Sequence, residues 1–206
     1  MTSSLHLGTS LAALLVTLLV PAAAHPQGGI SSGRIFEAIG VREGSTVCEI
    51  GAGDGELSLA AARAAGPAGR VLTSELGDDR VKSLREKVSA SGLANISVVA
   101  GDPTKTNFPD NGCDALFLRN VYHHFADPPA MTASILAAVR PGGRVAVVDF
   151  TPPDKEAPRP ADRGRDGMHG VRPETVAREM NQAGFETVSS EMVQRDLMVV
   201  FTKPKR

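Results

Sequence analysis

The sequence has no tryptophan, one tyrosine and only two cysteines in 206 residues. Aromatic residues total 4%, so few rings are available to stack on a flat ligand. It also lacks an excess of either charge, with 22 basic against 23 acidic side chains and no run of five like charges. A nucleic-acid partner needs a concentrated basic surface, and none is expected here. Hydrophobic residues make up 42%, which supplies one domain core if they are suitably patterned.

The first 24 residues contain no Asp, Glu, Lys or Arg. Leu11–Val20 is an apolar run of ten, followed by Ala22 and Ala24 spaced as at a signal-peptidase site. Residues 1–24 therefore read as a signal peptide or apolar anchor, with cleavage after Ala24. The run is too short to span a bilayer comfortably as a mature helix. Export to the periplasm or outside is the leading expectation. A membrane-anchored or cytoplasmic chain is the alternative, and membrane contact is expected only through this segment if it stays uncleaved. An exported chain could pair Cys48 with Cys113. Both fall in strands at different depths, an offset of several residues at about 3.3 Å each. A disulfide tolerates Cα atoms only within about 7 Å, so two buried free thiols are expected.

Residues 25–33 are rich in Gly, Ser, Pro and Gln and read as a linker. Arg34–Gly40 then places Ile35, Phe36 and Ile39 on one helical face. From there strands alternate with helices. Strands are expected at Thr46–Ile50, Arg70–Glu75, Ile96–Asp102, Cys113–Asn120 and Arg144–Phe150. Helices are expected at Gly55–Gly66, Asp78–Gly92, Pro129–Gly143 and Arg172–Phe185. The strands are almost wholly apolar, as strands buried on both faces are. Residues 151–170, polar and rich in Pro and Gly, read as a lid-like loop. Two closing strands, Glu186–Val193 and one from Asp196, are too close for a crossover helix and should pair antiparallel. The fold class is α/β: a doubly wound, mostly parallel seven-stranded sheet, Rossmann-like, with an antiparallel C-terminal strand.

Ligands of such sheets bind at the carboxyl ends of the strands. The strand-end residues here are Glu49 with its glycine loop, Glu75, Asp102, Asn120 and Asp149. A dinucleotide loop reads G-x-G-x-x-G and seats a pyrophosphate at a helix N-terminus. This loop reads Gly51-x-Gly53-x-Gly55, with Glu56 where the third glycine would stand. Carboxylates at Glu49, Asp54 and Glu56 repel a pyrophosphate. They suit a ligand with an ammonium and a sulfonium, whose single carboxylate would meet backbone N–H groups. S-adenosyl-L-methionine is such a ligand. Glu75 is placed to accept from both ribose hydroxyls, and Asp102 to take the adenine amino group.

The stretch "EIGAGDG", with Glu75, Gly101-Asp102 and "RPGG" at Arg140–Gly143, resembles the class I S-adenosylmethionine-dependent methyltransferases. The resemblance covers about Arg34–Phe150 and extends a methyltransferase domain over residues 34–206. It implies that Glu49, Gly51, Gly53 and Gly55 hold the methionine part, Glu75 with Leu76 the ribose, and Asp102 with Pro103 the adenine, with Asn120 beside them. "LFLRNVYHH", with Leu118–Val121, is similar to the quinone C-methyltransferases. A small, quinol-like or aromatic acceptor is implied, and the missing prolines in "NVYH" argue against amino-methylating DNA enzymes.

Methyl transfer from a sulfonium is an in-line displacement, so the protein aligns the acceptor, excludes water and sometimes removes a proton. His124, His123 and His169 are the candidate bases, His124 being the expected inward one. The alternative for His123 and His124 is packing around the cofactor. No metal is expected. The competing functions are a nucleotide-dependent oxidoreductase and a non-catalytic cofactor-binding relic. Export would separate the enzyme from cytosolic S-adenosylmethionine, a tension the sequence leaves open.

Overall fold

Residues 29–205 are described by the computed structural model. The expected leader, residues 1–24, and residues 25–28 of the expected linker lie outside the described residues. The remainder of that linker is already ordered: Ile30 is buried and Ser31 caps the first helix, accepting from the Arg34 N–H at 3.3 Å. The helix α1 (Ser32–Ile39) buries Ile35, Phe36 and Ile39 and stops at Gly40, which adopts the left-handed conformation.

The strand–helix alternation then runs β1 (Thr46–Ile50), α2 (Glu56–Ala65), β2 (Arg70–Glu75), α3 (Asp78–Ala90), β3 (Ile96–Ala100), β4 (Cys113–Arg119), α4 (Pro128–Ala138) and β5 (Val139–Phe150). After a loop come α5 (Pro173–Ala183), β6 (Glu186–Val193) and β7 (Asp196–Thr202). One seven-stranded sheet forms, in the order β3-β2-β1-β4-β5-β7-β6. The first five strands are parallel, and β7 runs antiparallel to both β5 and β6. The closing pair is therefore the expected antiparallel ribbon. Among the described residues, no helix is long and apolar enough to cross a membrane.

The sheet separates two cores because strand side chains alternate between its faces. Val47, Val71, Ala115 and Phe117 pack with α1 and α2 on one face. Cys48, Leu72, Leu116 and Leu118 pack with α4 and α5 on the other. On α4 the buried Met131, Ile135 and Ala138 recur at helical spacing. This helix is five residues shorter at its end than the Pro129–Gly143 segment suggested, since Val139 already leaves helical conformation. Pro141 disfavours the helical region for Arg140, so β5 starts early.

Loop 151–170 is pinned rather than free. The buried Arg163 guanidinium donates to both Glu179 oxygens on α5, at 2.6 and 3.1 Å, and lies 3.2 Å from Glu156. The Tyr122 hydroxyl donates to Glu179 at 3.0 Å and closes the network.

Cys48 and Cys113 form a disulfide with Cα atoms 5.8 Å apart, which corrects the expectation of free thiols. The strands are neighbours as expected, and the ladder sets Cys48 opposite Leu116, three residues beyond Cys113. An even rise would put about 10 Å between them along the strand. The 5.8 Å separation shows that this even rise does not hold at the start of β4, beside the point where a step of five residues on β5, Val139 to Arg144, opposes a step of two on β4, Cys113 to Ala115. Denatured protein is expected to show no free thiol until reduced, then two by Ellman titration. Reduction should cost about 2–4 kcal/mol of stability, read as a lower Tm. Two free thiols in the untreated protein would rule out the bond.

Candidate active site

Strand order reverses between β1 and β4, and the chain leaves these two strands toward opposite sides. The gap at their carboxyl ends is a cleft of about 450 Å³. Its walls come from the β1–α2 loop, the ends of β2 and β3, and the segment after β4. Gly51, Gly53, Glu75, Leu76, Asp102, Pro103, Asn120 and His124 of the expected site residues line it. Glu49, Gly55, His123 and His169 do not.

The loop is held from below and behind. Gly51, Gly53 and Gly55 all have positive φ, at 72°, 55° and 79°. At Gly51 a Cβ would lie 2.4 Å from a Val121 methyl, so glycine lets the two sides of the cleft approach. At Gly53 a Cβ would meet nothing within 4 Å, because that face opens on the cleft. The N–H groups of Gly51 and Ala52 both donate to the Ser74 carbonyl at 2.9 Å, and Gly55 N–H donates to Ala52. The expected carboxylate contact with loop N–H groups thus finds these donors already used.

Glu75 joins the loop to the end of β2. One carboxylate oxygen accepts from Gly53 N–H at 2.6 Å and the other from Leu76 N–H at 2.8 Å. Each oxygen keeps acceptor capacity for a ligand hydroxyl. Arg80, in the first turns of α3, reaches within 3.7 Å of the same carboxylate and also lines the cleft. Asp102 is at once a turn residue and a cleft residue. Its Oδ1 accepts from the Thr104 N–H and hydroxyl at 2.8 and 2.7 Å, which lowers its pKa. Oδ2 is left for a ligand. Asn120 turns the chain out of β4 with φ 56°, a left-handed conformation that asparagine tolerates.

Glu49 points away from the cleft. Strand alternation sends it to the α2 face, where it accepts from the hydroxyls of Ser58 and, at 3.3 Å, Thr73. Burial pushes its pKa up to about 7, against the lowering effect of those two bonds. It braces the loop from beneath and is a positioning residue.

Of the histidines, His124 stands at the cleft wall and His123 behind it. His123 is buried, with Nδ1 2.7 Å from the Asp149 carboxylate and its backbone N–H donating to the other Asp149 oxygen at 3.2 Å. His169 comes from the 151–170 loop, and its Nε2 is 2.9 Å from Nε2 of His123. It lines a second cavity with Phe150, Pro153 and Arg195. Partial burial, then His123 and His169, lower the pKa of His124, favouring a neutral ring. Sequence reasoning missed Arg80 and the apolar wall of Val121, Phe125 and Met131. Arg80 carried a signal, being five residues beyond Glu75 in a helix that starts at the strand end. The wall carried none, since apolar residues at a helix start read equally as core.

Residues 47–143 match the family of methyltransferase domains. The matched residues run from β1 into β5 and make up just under half of the chain. The chain is 37% identical over 123 residues to the ubiquinone/menaquinone biosynthesis C-methyltransferase UbiE of Pseudomonas putida, covering 57% of this chain and 46% of that protein. The chain spans about half the length of the curated relatives it matches. The methyltransferase fold also aligns with an S-adenosylmethionine-dependent methyltransferase of Aquifex aeolicus, at a TM-score of 0.71 and 22% identity over 82% of this chain and 88% of that one. It aligns with the [4+2]-cyclase SpnF at 0.74 and 17% identity, over 84% and 80% of the two chains. These likenesses establish the fold.

S-adenosylmethionine fits the residues present. The cleft has the size of a small-molecule site. It presents the open face at Gly53, carboxylate capacity at Glu75 and Asp102, and an apolar wall.

Glu49 makes the loop's support pH-dependent. An acid whose pKa is raised on folding binds more protons folded than unfolded, so its contribution is full below its ordinary pKa near 4.5 and is lost as pH rises through about 7. Glu49→Gln keeps a neutral acceptor for Ser58. It is expected to melt higher than the wild type at pH 8, by up to about 3 kcal/mol from a shift of this size, with the gap closing at pH 5. An equal Tm difference at both pH values would show that Glu49 is not the titrating group.

Proposed function

We propose that the chain transfers a methyl group from S-adenosylmethionine to a small-molecule acceptor of quinol-like or aromatic character. The observation that carries the reading is the Glu75 carboxylate, fixed by Gly53 and Leu76 N–H groups at the rim of the cleft, where a ribose diol can be accepted. Bound there, the cofactor supplies an electrophilic methyl group. Gly51 and Gly53 would wall its methionine part, Glu75 would take the ribose, and Asp102 and Pro103 would take the adenine. The apolar Val121, Phe125 and Met131 exclude water from the transfer path. His124 is the nearest candidate to hold or remove an acceptor proton. The likeness to UbiE supports a quinol-like acceptor and carbon as the methylated atom. The crowding of acids about the loop disfavours a dinucleotide oxidoreductase.

Calorimetry is expected to show saturable S-adenosylmethionine binding, weakened roughly 10–100-fold by Glu75→Ala, as loss of charged hydrogen bonds implies. No binding to the wild type overturns the reading. Labelled methyl transfer into lipid and small-molecule extracts then separates an enzyme from a cofactor-binding relic, which would bind without transferring.

We further read the domain as working where disulfides persist, outside the cytosol, which the Cys48–Cys113 bond and the apolar leader support. Fractionation with N-terminal sequencing should recover an exported chain beginning at His25. A cytosolic chain retaining Met1 would refute it.

A further inference from the structure

Three of the five histidines in the chain meet at one point. His123 and His124 leave the end of β4, and His169 arrives from the loop pinned by Arg163. Their nearest ring nitrogens lie within 4.8 Å of one another. The ring centroids of His123 and His124 are 4.0 Å apart, and those of His123 and His169 4.6 Å. Phe150 packs against both His123 and His169, at 4.9 and 5.1 Å. Gly164 backs His124, where a Cβ would stand 3.1 Å from its Nδ1.

We propose that His123, His124 and His169 form a binding site for a borderline divalent cation of the zinc class, between the main cleft and the second cavity. The first support is the tautomer of His123. A carboxylate can only accept, so the 2.7 Å contact with Asp149 makes Nδ1 the donor, and in the neutral ring Nε2 then carries the lone pair. A buried carboxylate bonded to one ring nitrogen while the other faces outward is the usual support for a histidine metal ligand. The second is the 2.9 Å contact between Nε2 of His123 and Nε2 of His169, where the proton the two rings share is what an ion would displace. Two imidazole ligands on a tetrahedral ion at about 2.0–2.1 Å have nitrogens roughly 3.3 Å apart, so shifts of a few tenths of an ångström seat an ion between them. The third is His124. A hydrogen-bonded relay from Asp149 through His123 to His169 has no use for a third ring, whereas a three-histidine set does. Three imidazoles suit zinc, copper or nickel over magnesium or calcium. They also leave a fourth position open.

The site shares His124 with the methyltransferase reading, where a ring nitrogen that ligates an ion cannot also take an acceptor proton, and the two are tested by separate readouts. Untagged, metal-stripped protein is titrated with Zn²⁺ against a chromophoric chelator, and with Co²⁺ by visible absorption. One equivalent is expected, with tetrahedral Co²⁺ bands. His124→Ala and His169→Ala, neither in the buried core, should each abolish the tight equivalent. Asp149→Asn should weaken it roughly 10–100-fold while stoichiometry stays at one. Wild-type protein that binds Zn²⁺ no tighter than the His124→Ala/His169→Ala double variant overturns the proposal. So does a Co²⁺ spectrum unchanged by His169→Ala. S-adenosylmethionine affinity, measured for the wild type and for His169→Ala, whose side chain lies outside the main cleft, reports on the other reading.

Discussion

Parallel pairing of β1 with both β2 and β4 makes all three strands end on the same side of the sheet, and the chain must leave β1 and β4 in opposite directions. A gap opens there that no side chain of the sheet can fill. Around it stand the glycine loop after β1, Glu75 after β2, Asp102 after β3 and His124 after β4. Glu75 makes this a site rather than a gap. By accepting from both the loop and its own next residue, it fixes the loop's distance from β2. The same carboxylate is then preorganised for a ligand, so little ordering remains to be done on binding.

The acids around the loop have divided roles. Glu75 and Asp102 face the cleft. Glu49 is turned under α2, where burial favours its neutral form and where it accepts from Ser58 in the first turn of the helix. Asp54 accepts from Glu56 N–H at 3.2 Å on the exposed side. Glu75, Asp102 and Asp54 repel polyphosphate here, while Glu49 presents no carboxylate to the ligand. Two faces of the sheet thus contribute to one function, one by contact and the other by support.

The alternation of strands and helices was legible because both periodicities are strong and the strands are buried on each side. The bounds of β1, β2 and β6 agree with the reading to the residue. The glycine loop and the acids at strand ends were legible because the turn needs positive φ and the topology puts strand ends at the ligand. The direction of Glu49 was also written in the sequence, two residues beyond the core-facing Val47, but spacing in a motif does not distinguish a ligand-facing acid from a bracing one. The Cys48–Cys113 bond was not legible. Its Cα atoms are far closer than ladder counting, which assumes an even rise, allows where β4 begins and its pairing with β5 breaks register.

The sequence by itself determined the fold class, the place of the cleft and the character of its ligand, because these follow from local periodicity and from short motifs at strand ends. Only the tertiary structure decided which histidines come together. His169 is 46 residues from His123 and lies in a loop whose course no periodicity describes. Its position is set by Arg163 buried against Glu179 on a helix later in the chain, and by Gly170 and Val171 returning to Arg163 and Phe150 through backbone bonds. Contacts between elements so far apart in sequence are the property of the packed molecule, since each is made only once the sheet has fixed both partners.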